Sequence, residues 1–271
     1  MRAFRIAYDG RPFHGFQRQP SVPTVEDAIF DALRALEIFE DDKPPGYSAA
    51  GRTDAGVSAR AQTVAIRSPD WLSPRALNGE LPDSVWAWAS ADAPDDFHAT
   101  YDAQWREYRY FLYAPDIDDE RARDALAALR GEHDFHNLTP DDENTVRRLR
   151  GEIVRDGSYL VVTLRSSGFA RELVRRVVSL VRAVGSGAAP VSKVATVLGT
   201  EPIDGPEGVP PAPASPLVLR RVAYDVSFHV DEEAARAARS RFHGAAVESR
   251  TRSKVADAIA AGIDTATESP R

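Results

Sequence analysis

The sequence predicts an α+β fold in which two βαββαβ halves lie side by side and form one continuous mixed sheet with a central cleft between them. Three observations predict it. Period-two alternation marks candidate strands and 3.6-residue stripes mark candidate helices. The two kinds of segment follow each other in the same order twice. The 271 residues supply enough chain for one large domain or two small ones.

Residues Arg2 to Tyr8 alternate as a strand. Thr24 to Leu36 reads as a helix, with Thr24 as N-cap and Asp27 in reach of the capping position. Strands follow near Tyr47 to Arg52 and Gln62 to Arg67, then a helix from Ser73 to Gly79 and a strand across Val85 to Ala91, closing a first half at 1–99. The second half, 100–230, repeats the order: strand Thr100 to Tyr113, helix Glu120 to Arg130, strands Thr145 to Arg155 and Ser158 to Arg165, a long helix Phe169 to Gly185, and strand Leu217 to Val230. Arg155-Asp156-Gly157-Ser158 supplies a hairpin turn. Such halves are ferredoxin-like units, a layout shared with RNA-recognition modules. Fold alone does not give function. Thr200 to Pro216, rich in proline and glycine, reads as an extended connection or the wall of a site. From Asp231 the composition shifts to Ala, Arg, Glu and Ser, and 231–271 is expected to be one or two peripheral helices with a frayed end.

Composition removes several classes. No apolar run of about 18 residues exists, so no membrane span is expected, and Met1-Arg2-Ala3-Phe4 leads straight into a strand without a signal-peptide core, so a cytoplasmic location is expected. Zero cysteines exclude disulfides, thiolate catalysis and cysteine-ligated zinc. Six histidines without His-x-x-x-His spacing point away from a metal site. The net charge of −7 argues against casual nucleic-acid binding, because phosphate contacts need cations. Yet Lys43, Lys193 and Lys254 are the sole lysines; every other basic residue is arginine, which stacks on bases and forks onto phosphates. Acidic pairs at Asp41-Asp42, Asp95-Asp96, Asp118-Asp119 and Asp141-Asp142 complete a composition that reads as adaptation to high salt.

The most informative segment is Gly51-Arg52-Thr53-Asp54-Ala55-Gly56-Val57. Its glycines allow a tight turn and close backbone approach, so Asp54 is presented rather than buried in a regular element. The bland rival is an Asx turn closing a hairpin. Three further segments support the reactive reading: Ala7-Tyr8-Asp9-Gly10 running on through Phe13-His14-Gly15-Phe16-Gln17-Arg18-Gln19, then Trp105-Arg106-Glu107-Tyr108-Arg109-Tyr110, then Gly168-Phe169-Ala170-Arg171-Glu172-Leu173-Val174-Arg175.

In order and approximate spacing these four segments resemble the tRNA pseudouridine synthase A family, over about Arg2 to Val230 and including Gly131-Glu132-His133-Asp134-Phe135 and Pro211-Ala212-Pro213-Ala214. The resemblance implies the pseudouridine synthase fold and isomerisation of uridine to pseudouridine at positions 38 to 40 in the anticodon stem-loop of tRNA. It implies no cofactor and a homodimer that holds one tRNA across both subunits. Asp54 would be the catalytic carboxylate, attacking sugar or base or removing a ribose proton; the sequence leaves the three open. Arg52 would hold the flipped target base, with Thr53 beside it. Tyr108 would pack against the uracil and take or relay the C5 proton. Arg175 would fix the Asp54 carboxylate, although helical periodicity alone puts it off the apolar stripe of Phe169, Leu173, Val177, Leu180, Val181 and Val184, on a solvated face. Tyr8, Asp9, Gly10, His14 and Gln17 would shape the tRNA-facing loop.

The chain departs from the family pattern at Ser58, where histidine is common, at Leu173, where methionine is usual and the exchange preserves volume, and at Ser215-Pro216, where a glycine is usual. Two other functions compete. A catalytically silent RNA-binding module would not need Asp54, Tyr108 and Arg175 together. An aspartate-dependent nucleosidase would normally need a second carboxylate, which the motif lacks.

Overall fold

The computed structural model describes residues 1–203 and 205–264. In chain order the elements are β1 (Arg2–Tyr8), α1 (Val25–Ala35), β2 (Ser48–Ala49), β3 (Ser58–Ile66), α2 (Pro74–Glu80), β4 (Val85–Asp92), β5 (Trp105–Tyr113), α3 (Asp119–Leu129), β6 (Gly131–Asp134), β7 (Val146–Asp156), β8 (Tyr159–Ser166), α4 (Leu173–Gly185), α5 (Ser192–Val197), β9 (Leu217–Ala223), β10 (His229–Val230) and α6 (Glu232–Asp264). Two short 3₁₀ turns lie at His136–Leu138 and Gly205–Glu207.

All strands join one ten-stranded mixed sheet in the order β10-β4-β1-β3-β9-β5-β8-β7-β6, with β2 pairing β3 off that path. The same antiparallel arrangement occurs twice, as β4-β1-β3-β2 and as β9-β5-β8-β7. The halves meet where β3 runs parallel to β9, with Ser58 opposite Val218 and Ala59 opposite Leu219. Because β1 covers one edge of β3 along its length, β2 and β9 must share the other: β2 takes Val64 and Ala65, β9 takes Ser58 and Ala59. Between these two pairings the chain of 50–57 leaves the sheet. The loop carrying Asp54 therefore sits at the seam of the two halves.

Strand alternation decides what faces the core. In β5, Arg106, Tyr108, Tyr110 and Leu112 are buried on one face, while Phe111 and Tyr113 are exposed on the other. The buried stripe of α4, Leu173, Val177, Leu180, Val181 and Val184, joins a core that continues through Phe4, Ile6 and Phe30 of the first half. Each such side chain removed from water stabilises the fold by about 1.5–3 kcal/mol. The N-cap at Thr24 forms as the sequence suggests, its hydroxyl accepting from the Asp27 amide at 3.2 Å.

Several boundaries differ from the sequence reading. β2 ends at Ala49 instead of Arg52, because side chains take over the strand's next carbonyls: Arg106 bonds Ala50 and Gln62 Nε2 bonds Gly51 at 2.8 Å. β3 starts four residues early, at Ser58. β5 begins only at Trp105, since the amides of Tyr101 and Asp102 both turn back to the His98 carbonyl. α4 begins at Leu173 because Glu172 adopts a left-handed conformation, φ 60°, that no helix can continue through. β6 and α5 carried no periodic signal, as Glu132-His133-Asp134 has no apolar alternation. The expected strand Leu217 to Val230 is two strands, and β10 crosses to the far edge of the first half, pairing with β4. The tail is one helix, α6; the expected fraying at 265–271 lies outside the described residues.

Candidate active site

The loop Gly51–Val57 is held from beneath by the segment after β1. Tyr8 Oη and Thr53 Oγ1 are 2.8 Å apart in a buried hydrogen bond. The Phe16 amide donates to the Thr53 carbonyl at 3.0 Å, and the Gly56 amide to that of Phe13 at 3.3 Å. The Val57 amide returns to the Asp54 carbonyl at 3.1 Å, closing a turn around Asp54. Gly56 has φ 81°, where a side chain would strain the backbone. Gly51, expected to share that freedom, has no positive φ. The closest approach is at Gly10, where a Cβ would lie 2.0 Å from the Val57 carbonyl oxygen. Ser58 accepts from the Gly10 amide at 3.1 Å, so this chain fills the position where histidine is usual with a backbone tie.

Asp54 reaches across the seam. Its Oδ2 accepts from Arg175 Nη1 at 3.0 Å, and the two side chains are 31% and 15% exposed. Asp54 Oδ1 has no hydrogen bond among the described residues. Arg175 is fixed from behind, its Nε donating to the Ala212 carbonyl at 2.6 Å while its own carbonyl accepts from the Ala212 amide at 3.1 Å. Arg176 grips the same segment through the Val209 carbonyl at 2.8 Å and pairs with Glu172 at 2.8 Å. The proline-rich stretch is thus a wall behind Arg175, which removes it from the solvated face that periodicity predicts.

A cleft of about 1110 Å³ opens over this pair, lined among others by Phe16, Gln17, Arg52, Asp54, Tyr108, Phe169 and Arg175. Tyr108 forms its floor, with Phe169 edge-on at 5.2 Å between ring centroids. Burial pushes the Tyr108 phenol up to about 12, the Arg106 charge opposing and the Asp54 charge adding to the shift. Tyr108 therefore stays protonated near neutral pH. Arg52 is exposed at the cleft and makes no hydrogen bond or ion pair among the described residues.

Some expected substrate-facing residues lie elsewhere. Tyr8 is 1% exposed and Gly10 is buried against Val57, so both support the loop from inside; Thr53, 6% exposed, is mostly buried but borders the cleft. His14 is exposed but does not line the cleft, and its carbonyl accepts from Gln19 Nε2 at 2.8 Å. Asp9 is bound to Arg11. Gln17 is exposed within the cleft, as is Gln19.

Arg106 is the residue that the sequence reading overlooked. Its guanidinium bonds the carbonyls of Ala50 (2.8 and 2.6 Å), Thr100 (2.7 Å) and Ser167. It thereby joins the root of the Asp54 loop, the start of the Phe169 segment and the strand carrying Tyr108. Strand alternation was the available signal, since it places residues 106 and 108 on one face.

The model of the family described as tRNA pseudouridine synthase matches residues 125–225. The tRNA pseudouridine synthase A of Halobacterium salinarum is 58% identical over 96% of this chain and 98% of its own. That of Haloarcula marismortui is 55% identical over 97% and 100%. The chain belongs to the tRNA pseudouridine synthase A family. Membership covers both halves of the sheet and the tail, and the haloarchaeal relatives fit a salt-adapted composition. A chain of a solved H/ACA RNP bound to a substrate RNA containing 2′-deoxyuridine aligns at a TM-score of 0.36 and 12% identity, over 67% of this chain and 44% of its own.

Proposed function

We propose that this chain isomerises uridine to pseudouridine in the anticodon stem-loop of tRNA, by resemblance at positions 38 to 40. The observation that carries the reading is the Asp54–Arg175 pair at the seam, with one carboxylate oxygen unbonded and the Tyr108–Phe169 aromatic floor beside it. The reaction breaks the N1–C1′ bond, turns the base, joins C5 to C1′ and releases the C5 proton. Arg175 keeps Asp54 oriented, so the free oxygen can attack sugar or base or remove a ribose proton. The aromatic floor gives the detached uracil a dry surface while it turns. Exposed Arg52, with its planar fork, fits a role in holding the flipped nucleotide. Protonated Tyr108 can donate to a uracil oxygen or relay the C5 proton through its lone pair.

The other acids lining the cleft are engaged elsewhere: Glu26 and Asp27 with Arg18, Asp42 with Arg18, Asp141 with Arg171, Glu172 with Arg176. That supports a single working carboxylate over a nucleosidase pair. A homodimer is supported by exposed Phe111, Tyr113, Val154 and Tyr159, which share one sheet face across β5, β8 and β7. The tRNA substrate supports a cytoplasmic site of action. The test is to incubate pure protein with unmodified tRNA and map pseudouridine by position. New pseudouridine in the anticodon arm is expected; released free uracil, or binding without modification, would overturn the reading.

A further inference from the structure

Helix α6 reverses the charge of the molecule. Between Ala234 and Lys254 it carries Arg236, Arg239, Arg241, Arg250, Arg252 and Lys254 against one acid, Glu248, in a chain whose net charge is −7. Arg241 is paired with Asp83 and Arg252 with Glu248. Arg236, Arg239, Arg250 and Lys254 are exposed and make no hydrogen bond or ion pair among the described residues. Those four recur, with His243, at spacings of 3, 4, 7 and 4 residues, which keeps them within about 60° of one another on a helix. Val255, Ile259 and Ile263 lie on the opposite flank.

The stripe is held at its root. Arg75 bonds Asp231 at 3.1 Å and Glu233 at 2.8 Å, and Ala234, Ala235 and Ala238 are buried. Farther along, the helix passes the loop that follows β1, Arg11 lining one groove together with Ala245, Ala246 and Ser249. That loop continues into Gln17, at the cleft. A row of unpaired cations about 27 Å long, anchored at one end and running past the loop that follows β1, offers the positive charge that an RNA backbone attracts.

We infer that the Arg236–Lys254 stripe of α6 is a second RNA-contacting surface, which takes the backbone of the tRNA body outside the anticodon stem-loop held in the cleft. The inference rests on the proposed function and adds to it a division of labour. The cleft selects the uridine; the helix contributes affinity for the whole tRNA.

The experiment uses the full chain with Arg236→Gln, Arg239→Gln, Arg250→Gln and Lys254→Gln combined, since glutamine keeps helix propensity. A charge-matched control carries Arg123→Gln, Arg130→Gln, Arg148→Gln and Arg150→Gln. Each is assayed on whole tRNA and on an isolated anticodon stem-loop, with tRNA binding measured separately from turnover. The α6 variant is expected to raise KM for whole tRNA about tenfold at unchanged kcat, to flatten the salt dependence of tRNA binding by about 0.7–0.9 per lost contact, and to leave the stem-loop kinetics alone. Unchanged whole-tRNA binding, equal losses on both substrates, or an equal loss in the control would overturn the inference. If the unaltered chain forms no pseudouridine, the functional reading falls, while the binding measurement still decides the role of α6.

Discussion

The Arg106 guanidinium clasps the Ala50 carbonyl twice, at 2.8 Å from Nε and 2.6 Å from Nη2, and so replaces the strand ladder where the Asp54 loop begins. Burial lowers the Arg106 pKa, yet four hydrogen bonds from its three nitrogens keep the ion in place.

Arg106→Met should therefore leave the carbonyls of Ala50, Thr100 and Ser167 without this donor. At about 1–3 kcal/mol for each buried group left unsatisfied, the denaturant midpoint should fall clearly. Arg106→Lys should recover part of the stability but less of the turnover, because one ammonium cannot span three carbonyls. Equal stability and equal kcat in all three proteins would show that Arg106 positions nothing.

Asp54→Asn keeps the shape of the side chain and removes its charge and nucleophilicity. Isomerisation should disappear while tRNA affinity stays within about tenfold, roughly 1.4 kcal/mol. Arg175 would remain anchored by its two bonds to Ala212. A comparable rate of pseudouridine formation by the variant would remove Asp54 from the mechanism.

Tyr108→Phe keeps the ring against Phe169 and deletes the hydroxyl. Binding of tRNA should persist and turnover should drop. Release of tritium from C5-labelled tRNA reads the proton step directly, and an unchanged release rate would restrict Tyr108 to packing.

Alkaline pH should unfold the protein through its buried phenols. Burial raises Tyr108 and Tyr224 from 10.0 to about 12, and raises Tyr8 as well. A raised folded-state pKa means that the folded protein holds its protons more tightly. The associated stability is complete below about pH 10 and is lost as pH climbs through about 12. Denaturation midpoints measured from pH 8 to 12 should decline only in the upper part of that range, and Tyr108→Phe should reduce the decline. A midpoint independent of pH would contradict the burial of these hydroxyls.

Salt separates this protein from an ordinary basic RNA binder. If contacts in the cleft are few and arginine-based, log affinity for an isolated anticodon stem-loop should fall only shallowly with log salt, since the slope counts displaced counterions at about 0.7–0.9 per neutralised phosphate, and activity on it should persist at molar salt. Arg52→Lys retains the charge but loses the fork and stacking face, so it should cost more than charge alone allows. A steep slope with complete loss of the stem-loop at high salt, or a fully active lysine variant, would show that simple phosphate attraction holds the RNA in the cleft.

The elements most legible in the sequence were those whose periodicity matches their burial. β1 alternates and is buried, and α1 announces itself through Thr24. The two-halved sheet followed from the order of such segments. β6 was illegible because a short edge strand of Gly131-Glu132-His133-Asp134 buries little. Within the site, Asp54 could be read from its loop, but the position of Arg175 could not be derived from its own helix. What shields it is Ala212, 37 residues away, and periodicity carries no information about a covering segment. Tyr8 misled for the reverse reason: a tyrosine ending a strand beside a substrate loop looks exposed, and only the bond to Thr53 shows that it points inward.

The crossing of β10 to β4 has a mechanical meaning. The second half does not end on its own side of the sheet; its chain passes the seam, with Tyr224 against Phe97, and latches onto the outermost strand of the first half through His229 and Val230. A clamshell that opened at the seam would have to peel this latch away and part β3 from β9 as well. A slot above Asp54 that kept one width would place the deformation needed to bring a uridine into it on the tRNA, whose readiness to unstack that nucleotide would then become part of how substrates are told apart.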